Sequence, residues 1–102
     1  MQVWFVYILR CRDGSLYTGI AIDVAKRFAA HQAGKGAKYT RAHPPESLEL
    51  ILPCANRSIA LKLEYAIKQR SAADKKRWIA GETPQLPAFY CDEQQLWQLC
   101  DA

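Results

Sequence analysis

The sequence predicts an α+β fold, with elements in the order ββαβαα followed by a C-terminal tail. Three observations carry this reading. Residues 3–9 and 16–21 are rich in β-branched and aromatic side chains and flank an Asp13-Gly14 turn signal, the pattern of a hairpin. Two later segments, one after Asp23 and one after Ser58, space their apolar residues as helices do. A strand-like stretch at 47–52 lies between them and is stopped by Pro53.

Each element follows from local chemistry. Residues 3–9 are continuously apolar, as expected of a strand buried on both faces. The return strand carries Gly19, and a glycine inside a strand marks a bulge or a close approach of backbone to something else. Asp23 is an N-cap for a helix over 24–33. On it Val24 and Phe28 face the core, while Arg27 and His31, one turn apart, share a flank. Gly34 ends this helix, and residues 35–41 form a basic loop closed by His43-Pro44-Pro45. Ser58, or Asn56 before it, caps a second helix over about 59–70 with the stripe Ile59, Ala60, Leu63, Ala66 and Ile67. Glu64 sits at the edge of that stripe. Ser71-Ala72-Ala73-Asp74 resembles a capping box and starts a third helix ending near Gly81. After a Pro-bearing linker at 83–87, Asp92 is read as the cap of a short final helix with Leu96, Trp97 and Leu99.

Charge divides the chain in two. Residues 1–81 hold all 14 Lys and Arg against six acids, and residues 82–102 hold four acids and no base. The expectation is a basic domain at 1–81 and an acidic tail at 82–102, packed on that domain. A basic body suits a polyanionic partner. No apolar run reaches the ~18 residues of a membrane span, and the N-terminus has no signal-peptide pattern. Cys11, Cys54, Cys91 and Cys100 form no CxxC pair and read as idle thiols in a reducing cytoplasm.

Phosphodiester hydrolysis needs a positioned water, a cation against the phosphate charge, and usually a metal. Arg27 offers a fixed fork of donors for phosphate. Glu64 suits a hard cation such as Mg²⁺, which often takes one or two protein carboxylates and keeps its waters. His31 titrates near neutrality and suits proton transfer. Tyr7 and Tyr17 sit on the two hairpin strands, but a phenol at its ordinary pKa of ~10 is a poor base unless a cation lowers it. Taken singly these residues read as ordinary: Tyr7 as core, Arg27 and His31 as a helix edge, Glu64 as the partner of Lys68 four residues on. Their joint order is the informative feature. Lys35, Lys38 and Arg41 offer charge to phosphates, Gly34 and Gly36 allow close backbone approach, and Tyr39 can stack on a base.

That joint order resembles the GIY-YIG nuclease domain, in its branch of small stand-alone bacterial proteins, across residues 3 to about 80. Val6-Tyr7-Ile8-Leu9 stands at the first motif and Tyr17-Thr18-Gly19-Ile20 at the second, with Thr18 in place of the usual Ile. Arg27 with His31 matches the helix motif, and Glu64 the metal-binding glutamate. The runs 34–41 and 66–68 are similar to features of this branch. The resemblance implies a three-stranded antiparallel sheet flanked by helices, and a single Mg²⁺ or Mn²⁺ at Glu64. It implies an endonuclease in which Arg27 stabilises the phosphate, Tyr7 and Tyr17 orient or activate water, and His31 relays its proton; which tyrosine is the base stays open. DNA, in branched or damaged structures, is favoured over RNA. The alternative is a non-catalytic nucleic-acid-binding module that kept the fold, and a weaker one is protein interaction through Leu96, Trp97 and Leu99.

Overall fold

The computed structural model describes residues 2–86, 88–91 and 95–99. Strand β1 (Trp4–Cys11) and strand β2 (Leu16–Ala21) form the expected hairpin, with Tyr7 opposite Gly19. The turn closes through Cys11 N–H donating to Ser15 O at 2.8 Å and Gly14 N–H donating to Cys11 O at 2.9 Å. Gly14 takes φ +86°, which its lack of a Cβ permits at little cost. Asp13 Oδ1 accepts from both Ser15 N–H and Ser15 Oγ, so the carboxylate fastens the loop it occupies.

Helix α1 (Val24–Gln32) starts where Asp23 accepts from Lys26 N–H at 3.0 Å. The stretch expected to be an open basic loop contains a short helix, α2 (Lys38–Ala42). The Thr40 hydroxyl accounts for it by donating back to Ala37 O at 2.9 Å, which closes the turn. Strand β3 (Pro45–Cys54) is longer than expected and pairs antiparallel with the other side of β1, Tyr7 opposite Ile51. Helix α3 (Arg57–Lys68) is capped by Asn56, which accepts from Ile59 N–H at 3.0 Å. Helix α4 (Ala72–Ile79) is capped by Ser71 Oγ, which accepts from Asp74 N–H.

The three antiparallel strands are those expected, and the sheet then extends. Strands β4 (Ala88–Cys91) and β5 (Leu96–Leu99) complete the order β2-β1-β3-β5-β4, with β5 parallel to β3. The short helix read over Leu96, Trp97 and Leu99 is therefore a strand; its supposed cap, Asp92, lies outside the described residues. Two facts decide the outcome. A four-residue stretch is too short for its period to separate helix from strand, and the edge of β3 has backbone groups to pair. Ala55 N–H donates to Trp97 O at 3.1 Å, and the Trp97 side chain is buried in the main core.

Strand β1 divides two apolar layers. Val6 and Ile8 pack on one face with Ile59, Leu63 and Ile67 of α3, while Tyr7 and Leu9 pack on the other with Val24 and Phe28 of α1. Alternation along a strand places Tyr7 on the α1 side. Cys11 and Cys54 are buried free thiols, and burial pushes the Cys54 thiol up to about 11. The Cys91 side chain and Cys100 lie outside the described residues. Among the described residues, no helix is long and apolar enough to cross a membrane.

Thr18 Oγ1 is buried without a hydrogen-bond partner among the described residues. Burying an unpaired hydroxyl costs about 1–3 kcal/mol. Thr18→Val keeps the shape and removes the polar atom, so the urea-unfolding free energy should rise by about 1 kcal/mol. An unchanged or lower value would show that the hydroxyl is satisfied in solution.

Candidate active site

The site is built on Gly19. A Cβ at this position would lie 2.5 Å from the Tyr7 hydroxyl oxygen and 3.1 Å from the Tyr17 ring, so only glycine lets the Tyr7 ring lie across β2. This is the close approach that the glycine in the strand suggested. The Tyr7 phenol, 1% exposed, then reaches His31 of α1, with Oη to Nε2 at 2.8 Å.

His31 is held from its other side. Its Nδ1 lies 2.7 Å from Thr40 Oγ1. The single hydroxyl proton of Thr40 is donated to Ala37 O, so Thr40 Oγ1 accepts from His31 and the imidazole proton sits on Nδ1. In neutral imidazole the other nitrogen is then an acceptor. Tyr7 therefore donates to His31 Nε2. Burial, reinforced by the positive charge of Arg27, holds the imidazole below its ordinary value, which keeps it neutral at pH 7. Gly36 permits this packing, since a Cβ there would stand 2.0 Å from His31 Nδ1.

Tyr17 completes an aromatic cluster. Its ring centroid is 6.5 Å from that of Tyr7 and 5.4 Å from that of His31. Tyr39 stacks on Tyr17 at 5.8 Å and on His43 at 4.2 Å. His43 Nδ1 lies 2.6 Å from Asp13 Oδ2, so the hairpin turn anchors the far end of this stack. The exposed side chains of Lys35, Lys38 and Arg41 lie on the same segment, around α2.

The charged residues act on both phenols. Burial pushes the Tyr7 phenol up to about 12, and the Arg27 guanidinium opposes this. Burial also raises Tyr17, with the negative charge of Glu64 adding to the rise and Arg27 opposing it. Arg27 does act to lower both phenols, as a nearby cation should, but desolvation outweighs it and both phenols are neutral at rest. Glu64 comes from α3, which also packs against β2. Its carboxylate pairs with Lys68 at 3.6 Å, and the Lys68 ammonium stands 5.8 Å from the centre of the Tyr17 ring.

Tyr7, Tyr17 and His31 thus form one cluster, with Arg27 and Glu64 within electrostatic reach of the phenols. Sequence reasoning assigned no role to Thr40 and named Gly36 only for backbone approach. The signal was available in the run Gly34 to Arg41, where a β-branched hydroxyl and a glycine interrupt basic residues.

The donor set fits a hard divalent cation. One partly exposed carboxylate matches an ion that keeps most of its waters. Among the described residues, no group of three His, Cys, Asp or Glu side chains could form an all-protein cage.

Two tests follow from this geometry. As pH falls below about 6.5 the unfolded chain protonates His31 while the folded chain resists, so stability should drop. Urea midpoints at pH 7.5 and 5.5 should differ more for the wild type than for His31→Gln. An equal pH dependence would show that His31 charges freely in the folded state. Gly36→Ala should displace the imidazole from Thr40, shifting the His31 ring signals in NMR and lowering stability by about 1–3 kcal/mol. An unshifted His31 would overturn this packing.

A family model of the GIY-YIG catalytic domain matches residues 3–77. A UPF0213 protein of Cronobacter sakazakii is 50% identical over 82 residues, covering 80% of this chain and 86% of its own. One from Yersinia pestis is 43% identical over 91 residues, covering 89% and 96%. The solution NMR structure of a UPF0213 protein from Bacillus halodurans is 40% identical, with a TM-score of 0.50 over 76% of this chain and 83% of that one. The chain belongs to the GIY-YIG catalytic-domain family, alongside the small UPF0213 proteins of bacteria.

Proposed function

We propose that the chain is a divalent-metal-dependent endonuclease that hydrolyses phosphodiester bonds in DNA, with branched or damaged DNA as its substrate. The observation that carries this reading is the Tyr7–His31–Thr40 chain of hydrogen bonds with its proton on Nδ1. Such an arrangement leaves a neutral imidazole nitrogen ready to accept the Tyr7 proton. The Tyr7 oxygen can then take a proton from water as that water attacks phosphorus, while the P–O bond to the leaving oxygen breaks and that oxygen takes a proton from solvent. A phenol near pKa 12 is a weak acid by itself, so proton transfer to His31 must accompany the attack. This makes Tyr7, not Tyr17, the proton-transferring phenol. Tyr17, which stays protonated, orients the water.

Arg27 holds the phosphate and offsets the charge that builds on it. Mg²⁺ or Mn²⁺ held by Glu64 would supply Lewis-acid stabilisation of the phosphate oxygens. Lys35, Lys38 and Arg41 bind the flanking backbone, and Tyr39, already stacked on Tyr17, borders that path. The Glu64–Lys68 pair favours a second reading, a nucleic-acid-binding module without catalysis, because the ammonium already neutralises the carboxylate.

Nicking of supercoiled plasmid with Mg²⁺ or Mn²⁺ separates the two. Glu64→Ala and Tyr7→Phe should each slow nicking by at least about 10²-fold. Mn²⁺ should broaden NMR signals around Glu64, and not in Glu64→Ala. Equal nicking by the wild type and Glu64→Ala, or salt-sensitive binding without cleavage, would favour the binding module.

A further inference from the structure

A cavity of about 360 Å³ opens beside Arg27, on the side of α1 that the proton relay leaves free. It lies between the end of β2 and the start of α1. Trp4, Ile22 and Ala30 are among its apolar lining residues, and Lys26 and Arg27 among its charged ones. Ile22 is 46% exposed, so an apolar side chain of the lining stands in solvent. The Trp4 ring is overlaid by the Arg57 guanidinium at 5.5 Å, which orients an aromatic wall without filling the cavity. None of these residues except Arg27 has a role in the proposed hydrolysis.

We propose that this cavity binds one unstacked nucleobase of the nucleic-acid strand, adjoining the phosphate that Arg27 holds. The proposal rests on the nuclease reading for the position of that phosphate. Its own support is chemical. The walls are apolar and aromatic, as a base face requires. Two cationic residues, Lys26 and Arg27, belong to the lining and suit the phosphates that flank a base. Asp23 also lines the cavity; its Oδ1 caps α1 by accepting from Lys26 N–H, and a carboxylate there suits the amino edge of a base, not a second phosphate. Arg27 is the shared wall, because it acts on Tyr7 and Tyr17 and also lines the cavity. A base stacked inside a duplex cannot enter such a pocket without leaving its neighbours. The preferred substrate is therefore one with an unpaired nucleotide beside the scissile bond.

NMR titration of the full chain, without added metal, tests this. Two single-stranded DNA pentamers are compared, one intact and one abasic at its central nucleotide. The intact pentamer should shift the amides of Ile22, Lys26 and Ala30 and the Trp4 indole N–H, and bind about tenfold more tightly than the abasic one. Ile22→Asp, an exposed change, and Ala30→Leu, which fills space, should each erase that difference while leaving the thermal midpoint near wild type. Equal binding of the two pentamers, or a difference that survives both variants, would overturn the pocket. Plasmid nicking is a separate readout: cleavage with no pocket shifts defeats this proposal alone, and pocket shifts with no cleavage defeat the nuclease reading alone.

Discussion

The hydrogen bond from the Tyr7 hydroxyl to His31 Nε2 is the constraint around which this domain is arranged. A phenol and an imidazole, both almost fully buried, are costly to desolvate unless each polar atom has a partner. Every partner here comes from a different element. Tyr7 belongs to the central strand, His31 to α1, and Thr40 to α2, which is anchored through its own Ala37 carbonyl. Gly19 and Gly36 supply the missing side-chain volume at the two ends of the chain of bonds. Helix α1 is thus held to the sheet by polar geometry as well as by Val24 and Phe28.

Burial and charge oppose each other at the same atoms. Desolvation raises both phenols and lowers the imidazole, while Arg27 works against the first and adds to the second. The outcome is a resting site in which the two phenols and the His31 imidazole are neutral. That state is easier to keep buried than a phenolate facing an imidazolium, since charged groups lose far more hydration. It also sets a requirement on any chemistry performed there: charge has to be created during the reaction, near the Arg27 guanidinium, and not stored beforehand.

The carboxylate arrives from the opposite layer. Helix α3 packs its apolar stripe beneath β1, and Glu64, at the edge of that stripe, acts on the phenols above. A helix lying across the sheet can do this only if its edge residues reach past β2, the strand at that side of the sheet. The far side is closed differently. There β5 pairs with β3 and Trp97 fills the core, so the acidic tail contributes to the packed body.

Much of the fold was legible in the sequence. The continuous apolar run of β1, the Asp13-Gly14 turn, and the caps Asp23 and Ser71 act over a few residues, so local pattern decides them. The motif residues were visible as a set, and their electrostatic relation to one another belongs to the structure. Two further features required the tertiary structure. The stretch Leu96–Leu99 carries no period long enough to choose its state, and the unpaired edge of β3 chose strand for it. The proton position on His31 depends on Thr40, nine residues away, and on a carbonyl that only a folded turn brings within reach. Residue types announce which chemistry is possible; burial and the direction of each hydrogen bond decide which atom carries the proton.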